Sequence, residues 1–186
     1  MKKILFLCIP LLLISGCGAT EKMFGQTVPD FDTSYSVSAE IDYGNFTACA
    51  DITRNDADNW DFCFTEPEYL NGIGLSLNED EVTVNLGELN ISTEKNDFYR
   101  LVPDLIAESV NSLAGIDKEN ITEQDGILSI NTTVADKKVV ITADKNGNLL
   151  RLKCPYYNIS VDFNEQTPIT YPTSEAGEFV DPQLPD

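Results

Sequence analysis

The feature that most constrains this chain is an alternation of apolar and polar residues with period two, the mark of strands that bury one face. Phe46, Ala48, Ala50 and Ile52 alternate with Thr47, Cys49, Asp51 and Thr53. After the polar stretch Arg54 to Asp58, Trp60, Phe62 and Phe64 alternate with Asp61, Cys63 and Thr65. A hairpin centred on Asp56 sets Ile52 opposite Trp60, Ala50 opposite Phe62 and Ala48 opposite Phe64, so that the apolar side chains share one face. A turn at Asn78 to Glu81 pairs Leu77 with Val82, Leu75 with Val84 and Ile73 with Leu86. Asn146-Gly147 is the strongest short hairpin signal, because both residues tolerate positive φ. It pairs Ala143 with Leu150, Ile141 with Leu152 and Val139 with Cys154. A last strand places Tyr157, Ile159, Val161 and Phe163 on one side.

One segment follows a different period. Phe98, Leu101, Val102, Leu105, Ile106, Val110 and Leu113 fall at helical spacing, with Asn96 or Asp97 as a cap and Gly115 as a stop. Pro103 suits a first helical turn, so Phe98 to Val102 can also be a turn that precedes the helix proper. The pattern predicts a mainly β domain with one or two helices, the main one lying between two groups of antiparallel strands.

The chain begins with the parts of an export signal: Lys2 and Lys3, an apolar run over 4–14, then Ser15, Gly16 and Cys17. The run is short of the ~20 residues needed to span a bilayer as a helix, so it reads as a signal and not a permanent anchor. Leu13-Ile14-Ser15-Gly16-Cys17 resembles the lipobox of bacterial lipoproteins, which implies cleavage before Cys17 and diacylation of that cysteine. Two acyl chains, at roughly 0.8 kcal/mol per buried CH₂, anchor firmly where one does not. The expected organisation is a signal peptide over 1–16, a lipidated tether over 17–33, a β domain over 34–165 and an acidic, Pro-rich disordered tail over 166–186. The expected location is the extracellular face of a cell membrane.

Lys and Arg number 12 against 31 Asp and Glu, a formal charge of −19, and cleavage removes two of the cations. Such a surface is unsuited to nucleic acid, whose phosphates need clustered Lys and Arg, and to lying flat on anionic lipid. The sequence contains no histidine. That removes the commonest general base, the Ser-His-Asp and Cys-His arrangements and the usual zinc ligands. There is no Gly-rich phosphate loop and no G-x-S-x-G elbow. The expectation is a protein without catalytic activity or cofactor.

Two turns, Asp56 with Asp58 and Asp61, and Asp144 with Asn146 and Asn148, have the composition of calcium loops. They lack the spacing and distal Glu of an EF-hand, and turn chemistry accounts for them, so no metal is expected. The hairpin centred on Asp56 sets Cys49 opposite Cys63, near the separation a disulfide requires. Such a bond would close a loop of about 15 residues, worth ~3 kcal/mol in the chain-entropy model; two reduced side chains are the alternative. Cys154 falls on an apolar face as a buried thiol.

Phe64-Thr65-Glu66-Pro67 leading through Leu70-Asn71-Gly72-Ile73, an Asn-Glu-Asp turn, a helix, and a closing Ile141-Thr142-Ala143-Asp144-Lys145-Asn146-Gly147 hairpin before Val161-Asp162-Phe163 resemble the LolA-like lipoproteins of Gram-positive bacteria. The resemblance covers 34–165. It implies a curved antiparallel sheet, an unclosed barrel, with helices over its apolar concave face, and a role in carrying lipids or lipoproteins or in binding a protein partner. On that reading Trp60, Phe62, Phe64, Leu75, Val84, Leu105 and Ile106 line an apolar groove for a lipid. In the alternative the same side chains fill a core, and an outer surface grips another envelope protein.

Overall fold

The alternation resolves into one antiparallel sheet. A computed structural model of the protein describes residues 28–95 and 102–170. Among them run β1 (Tyr35–Tyr43), β2 (Phe46–Arg54), β3 (Trp60–Glu66), β4 (Ile73–Leu77), β5 (Glu81–Leu86), β6 (Leu89–Glu94), the helix α1 (Val102–Asn111), β7 (Ile121–Gln124), β8 (Ile127–Val134), β9 (Lys137–Asp144), β10 (Leu149–Cys154), β11 (Ile159–Phe163) and the short β12 (Thr167–Pro168). Their order across the sheet is β6-β5-β4-β3-β2-β1-β11-β10-β9-β8-β7, with β12 beside β1 where β11 has ended. The two ends of that order, β6 and β7, are not joined, so the sheet is an unclosed barrel.

The sheet is curved around α1. Asn111 at the end of the helix donates from Nδ2 to the carbonyl of Ala57 in the β2–β3 turn (2.6 Å), and the next residue, Ser112, shares a hydroxyl hydrogen bond with Thr132 of β8 (2.9 Å). β2 and β8 are five places apart in the sheet, roughly 24 Å along a flat one at ~4.8 Å per strand. Two consecutive residues reach both only because the sheet bends. Ile52, Trp60, Phe62, Leu77, Ile130, Ile141, Leu152 and Val161 on its inner face form one core with Leu105, Ile106 and Val110 of α1.

α1 starts at Val102, with Pro103 in its first turn, where an N–H has no helical partner to lose. Asp104 sits at the same end, paired with Lys95 at 3.2 Å, a favourable place for a carboxylate on the helix dipole. Asn96, Asp97, Phe98 and Leu101 lie outside the described residues. Gly115, at φ +74°, turns the chain away after the helix.

Three expected registers meet different outcomes. The β4–β5 hairpin is as read, Leu77 with Val82, Leu75 with Val84 and Ile73 with Leu86. In β9–β10, Ile141 faces Leu152, but Leu149 instead of Leu150 opposes Ala143, because a bulge absorbs one residue. In β2–β3 the pairing slides by two: Arg54 faces Trp60, Ile52 faces Phe62 and Ala50 faces Phe64. Asp56 is the cause. Its carboxylate accepts the backbone N–H groups of Asp58 and Asn59 (both 2.9 Å), and Asn55 N–H bonds the carbonyl of Asn59, which closes a tighter turn than a symmetric loop about Asp56. A slide of two keeps every side chain on its face.

The domain boundaries also move. The tether does not extend to 33: Phe31 is buried in the core, and Pro29 lies so close over Gly147 that a Cβ there would stand 2.9 Å from the proline Cβ. Arg54, buried on the inner face, holds this segment by donating to the carbonyl of Thr33 (2.7 Å) and the carboxylate of Asp32 (2.6 Å), with its guanidinium 5.7 Å from the centre of the Trp60 ring. At the other end the domain runs past 165. Gln166 accepts a hydrogen bond from Leu149 N–H (3.1 Å), β12 pairs with β1, and Ile169 N–H bonds Ser34 (3.0 Å). The proposed signal peptide, Cys17 and the segment 171–186 lie outside the described residues.

Phe31 thus acts as a core residue. Phe31→Ala is expected to lower stability by about 3 kcal/mol, the usual loss for a buried Phe truncated to Ala, measured by urea denaturation of residues 18–186; a loss under 0.5 kcal/mol would return 28–33 to the tether.

Candidate binding face

α1 covers only part of the inner face, and apolar side chains continue beyond it. Parity fixes which side chains these are. Trp60 and Phe62 of β3 pair with Leu77 and Leu75 of β4, Leu77, Leu75 and Ile73 pair with Val82, Val84 and Leu86 of β5, and the last three pair with Thr93, Ile91 and Leu89 of β6. Exposure grows along each row. Leu77 and Val82 are each 1% exposed, Leu75, Ile73 and Val84 are half-buried, and Leu86, Leu89 and Ile91 stand 53–55% exposed. Tyr43 and Phe46, paired across the β1–β2 turn, have inner-face parity and are also exposed, and Tyr69 lies with its ring 6.5 Å from that of Phe46.

Three exposed aliphatic side chains side by side at the end of one hairpin are more than the scattered apolar residues every surface carries. Local sequence produces them: Gly87 at φ +59° and Glu88 make a two-residue turn, and the alternation on both sides of it places Leu86 and Leu89 together on the inner face.

The groove read from the sequence divides into two. Trp60 and Phe62 are buried in one packed core with Leu105 and Ile106 of α1, Trp60 being stacked against Phe62 at 6.2 Å and edge-on to Tyr35 at 6.1 Å. These four are therefore corrected from groove to core. Phe64 and Leu75 are partly buried at the margin of that core, and Val84 is half-buried beside them, where the open strip begins. Leu89 and Ile91, its most exposed members, were not among the sequence candidates; the Gly87-Glu88 turn followed by Leu89-Asn90-Ile91-Ser92-Thr93 was the signal for them.

The cysteine pairing is also corrected. With β2–β3 slid by two, Cys63 faces Asp51, and Cys49 faces Glu66 beyond a register shift. Cys49, Cys63 and Cys154 are free thiols, and Cys154 is buried. Cys49 lies 3.9 Å from a Glu66 oxygen. Partial desolvation, and then the carboxylates of Glu66 and Glu40, push its thiol above the ordinary value, which disfavours the thiolate. Thiol titration of unfolded residues 18–186 is expected to count three free sulfhydryls; a count of one would restore the disulfide.

In the two carboxylate turns the oxygens are occupied by their own loops. Asp144 accepts the N–H groups of Asn146 (2.8 Å) and Asn148 (2.9 Å) and the Asn148 amide (2.8 Å). Partial burial raises this carboxyl, and the donors of Asn148 and Asn146 together outweigh it, so the net value lies below the ordinary 3.8. Its stabilisation is then present above about pH 4 and lost as pH falls through the lowered folded value. Asp144→Ala is expected to cost about 1–2 kcal/mol at pH 6, and the gap between wild type and variant should close toward pH 2 in denaturation curves; a gap independent of pH would contradict this account of the turn.

No family model and no curated protein sequence matches this chain. Among solved structures it is similar to that of an uncharacterized conserved protein from Thermus thermophilus, with a TM-score of 0.48 and 12% identity over 77% of this chain and 88% of that one. It is similar also to a LolA superfamily protein from Nitrosomonas europaea, with a TM-score of 0.39 and 9% identity over 79% and 90%, and to a DUF1329 family protein from Desulfovibrio piger, at 0.36 and 11% over 74% and 85%.

Proposed function

We propose that this protein is a non-catalytic lipoprotein, held by lipid on Cys17 at the extracellular face of a cell membrane, that binds an elongated apolar ligand such as an acyl chain. The observation that carries the reading is the graded exposure of the inner face, from Leu77 and Val82 in the core to Leu86, Leu89 and Ile91 in the open. An apolar chain laid there would extend the core outward and bury surface that α1 leaves bare. The resemblance of the sequence to LolA-like lipoproteins agrees with a cargo of this kind.

Magnitudes favour a long ligand. Micromolar affinity is about −8 kcal/mol, which at ~0.8 kcal/mol per buried CH₂ needs on the order of ten methylenes before any entropic cost. A small metabolite does not supply them.

The test uses residues 18–186, which lack the modified cysteine, so that any lipid found is held without a covalent bond. Solvent extraction and mass spectrometry are expected to find a co-purifying lipid, and a fluorescent fatty acid should bind saturably. Leu89→Asp with Ile91→Asp should weaken that binding about tenfold or more while leaving the unfolding midpoint nearly unchanged, since both side chains are already exposed. Absence of both a co-purifying lipid and fatty-acid uptake in the wild-type protein would defeat the proposal.

A second reading, an adaptor that grips another envelope protein, is favoured by the solid packing of Trp60, Phe62, Leu105 and Ile106, which leaves binding to surfaces.

A further inference from the structure

β6 ends the sheet, and among the described residues no strand pairs with its outer side. Which of its backbone groups face outward follows from the hairpin. Leu86 and Leu89 close the two-residue turn, and six residues on, Lys95 N–H donates to the carbonyl of Asp80 at 2.8 Å. In an antiparallel pair, bonding toward the partner alternates residue by residue. Leu89, Ile91, Thr93 and Lys95 therefore direct their N–H and C=O groups to the β4–β5–β6 side, while Asn90, Ser92 and Glu94 direct theirs away from the sheet.

Sheet edges are commonly blunted by proline, by a lysine, by a bulge or by shortness. β6 is six residues long, has regular register along its whole length, and contains neither proline nor lysine. The opposite edge differs: β7 is four residues long and is preceded by a single 3-10 turn over Lys118–Asn120. The flanks of β6 are acidic. Glu94 and its partner Glu81 lie on the outer face, Glu88 is in the turn, and Glu79 and Asp80 occupy the turn before β5. Lys95, the one cation beside them among the described residues, is engaged with Asp104.

We infer that β6 is a docking edge for an extended segment of another protein in which basic residues alternate with apolar ones, added as a further antiparallel strand. Its backbone would bond Asn90, Ser92 and Glu94. Its apolar side chains would fall on the inner face against Leu89 and Ile91, and its Lys or Arg side chains on the outer face near Glu94 and Glu81, where opposite charges across strands attract. A second copy of this chain fits poorly. Antiparallel pairing with Ile91 opposite Ile91 sets Glu88 against Glu94 at both ends. The inference rests on backbone groups and charge, and not on the apolar-ligand reading, which fatty-acid uptake tests separately.

The experiment uses the mature chain from residue 17 with Cys17→Ser, and as probe a fluorescein-labelled seven-residue peptide alternating lysine with valine. Fluorescence anisotropy should report saturable binding that weakens as salt is raised. Replacing lysine by glutamate in the peptide should abolish binding. N-methylation of alternate peptide amides, which removes the donors to β6 but keeps charge and apolar surface, should weaken it roughly fivefold or more per bond lost. Ser92→Pro removes an outward N–H without touching the β5–β6 ladder and should have the same effect. Should that variant fail to fold, the N-methylated peptide on the wild-type protein decides alone. Equal binding of the methylated and plain peptides, or of the glutamate peptide, overturns the inference. So does a concentration-dependent dimer in sedimentation that Ser92→Pro abolishes, since the edge would then belong to a second copy.

Discussion

Among the described residues, a single ten-residue helix has to serve the inner face of a sheet of twelve strands. At ~1.5 Å per residue, α1 is about 15 Å long, and a flat sheet of this width would leave most of its apolar face bare. Curvature is the first part of the answer. The bend brings β8 and the β2–β3 turn to the same end of α1, so that side chains from strands far apart in the sheet share one core with that helix. The second part is that coverage stops. Between Leu77 and Ile73, within a single strand, burial falls away, and toward β6 the inner-face side chains Leu86, Leu89 and Ile91 are exposed.

Arg54 is the polar counterpart of that packing. It occupies an inner-face position that the alternation reserves for an apolar residue, between Tyr35 and Trp60. A buried guanidinium without partners is costly, several kcal/mol after relaxation. Here it acquires them by ordering Asp32 and Thr33, and that is why the chain before β1 follows the domain surface and carries Phe31 into the core. Burial also pushes the neighbouring Tyr35 hydroxyl well above its ordinary value, with Arg54 opposing the shift only in part. The N-terminal segment is thus held by one hydrogen-bonded cation and one aromatic ring, neither of which a periodicity scan can detect, because each is a single residue in a polar stretch.

What the sequence made legible follows the range of the interaction involved. Face was readable nearly everywhere, since it depends only on parity: Ala48, Ala50, Ile52, Trp60 and Phe62 are all on the inner side as read, although the β2–β3 register is different. Register was readable where the turn is short and closed by a backbone bond, as in β4–β5, where Asn78 N–H bonds the carbonyl of Glu81. It failed where a turn carboxylate captures backbone donors, at Asp56, and where a bulge takes up a residue, at Leu150. The cysteine pairing depended on register and failed with it. Groove and core could not be separated from sequence, because Trp60 and Leu89 have the same parity and differ in whether the packed core extends to them. That is decided by the curvature of strands distant in the chain.

The acidity of the chain takes on a more local meaning beside this geometry. Spread over the surface, a charge of −19 keeps copies apart and explains nothing in particular. Around β6 it has an address. An open edge with exposed Leu89 and Ile91 is the kind of surface that recruits further strands without discrimination, and Glu81, Glu88 and Glu94 surround it. Carboxylates there repel another β6 and any acidic segment, and they leave the edge accessible to cationic chains. The same residues that keep an apolar edge from associating with itself therefore also set which partners it can accept.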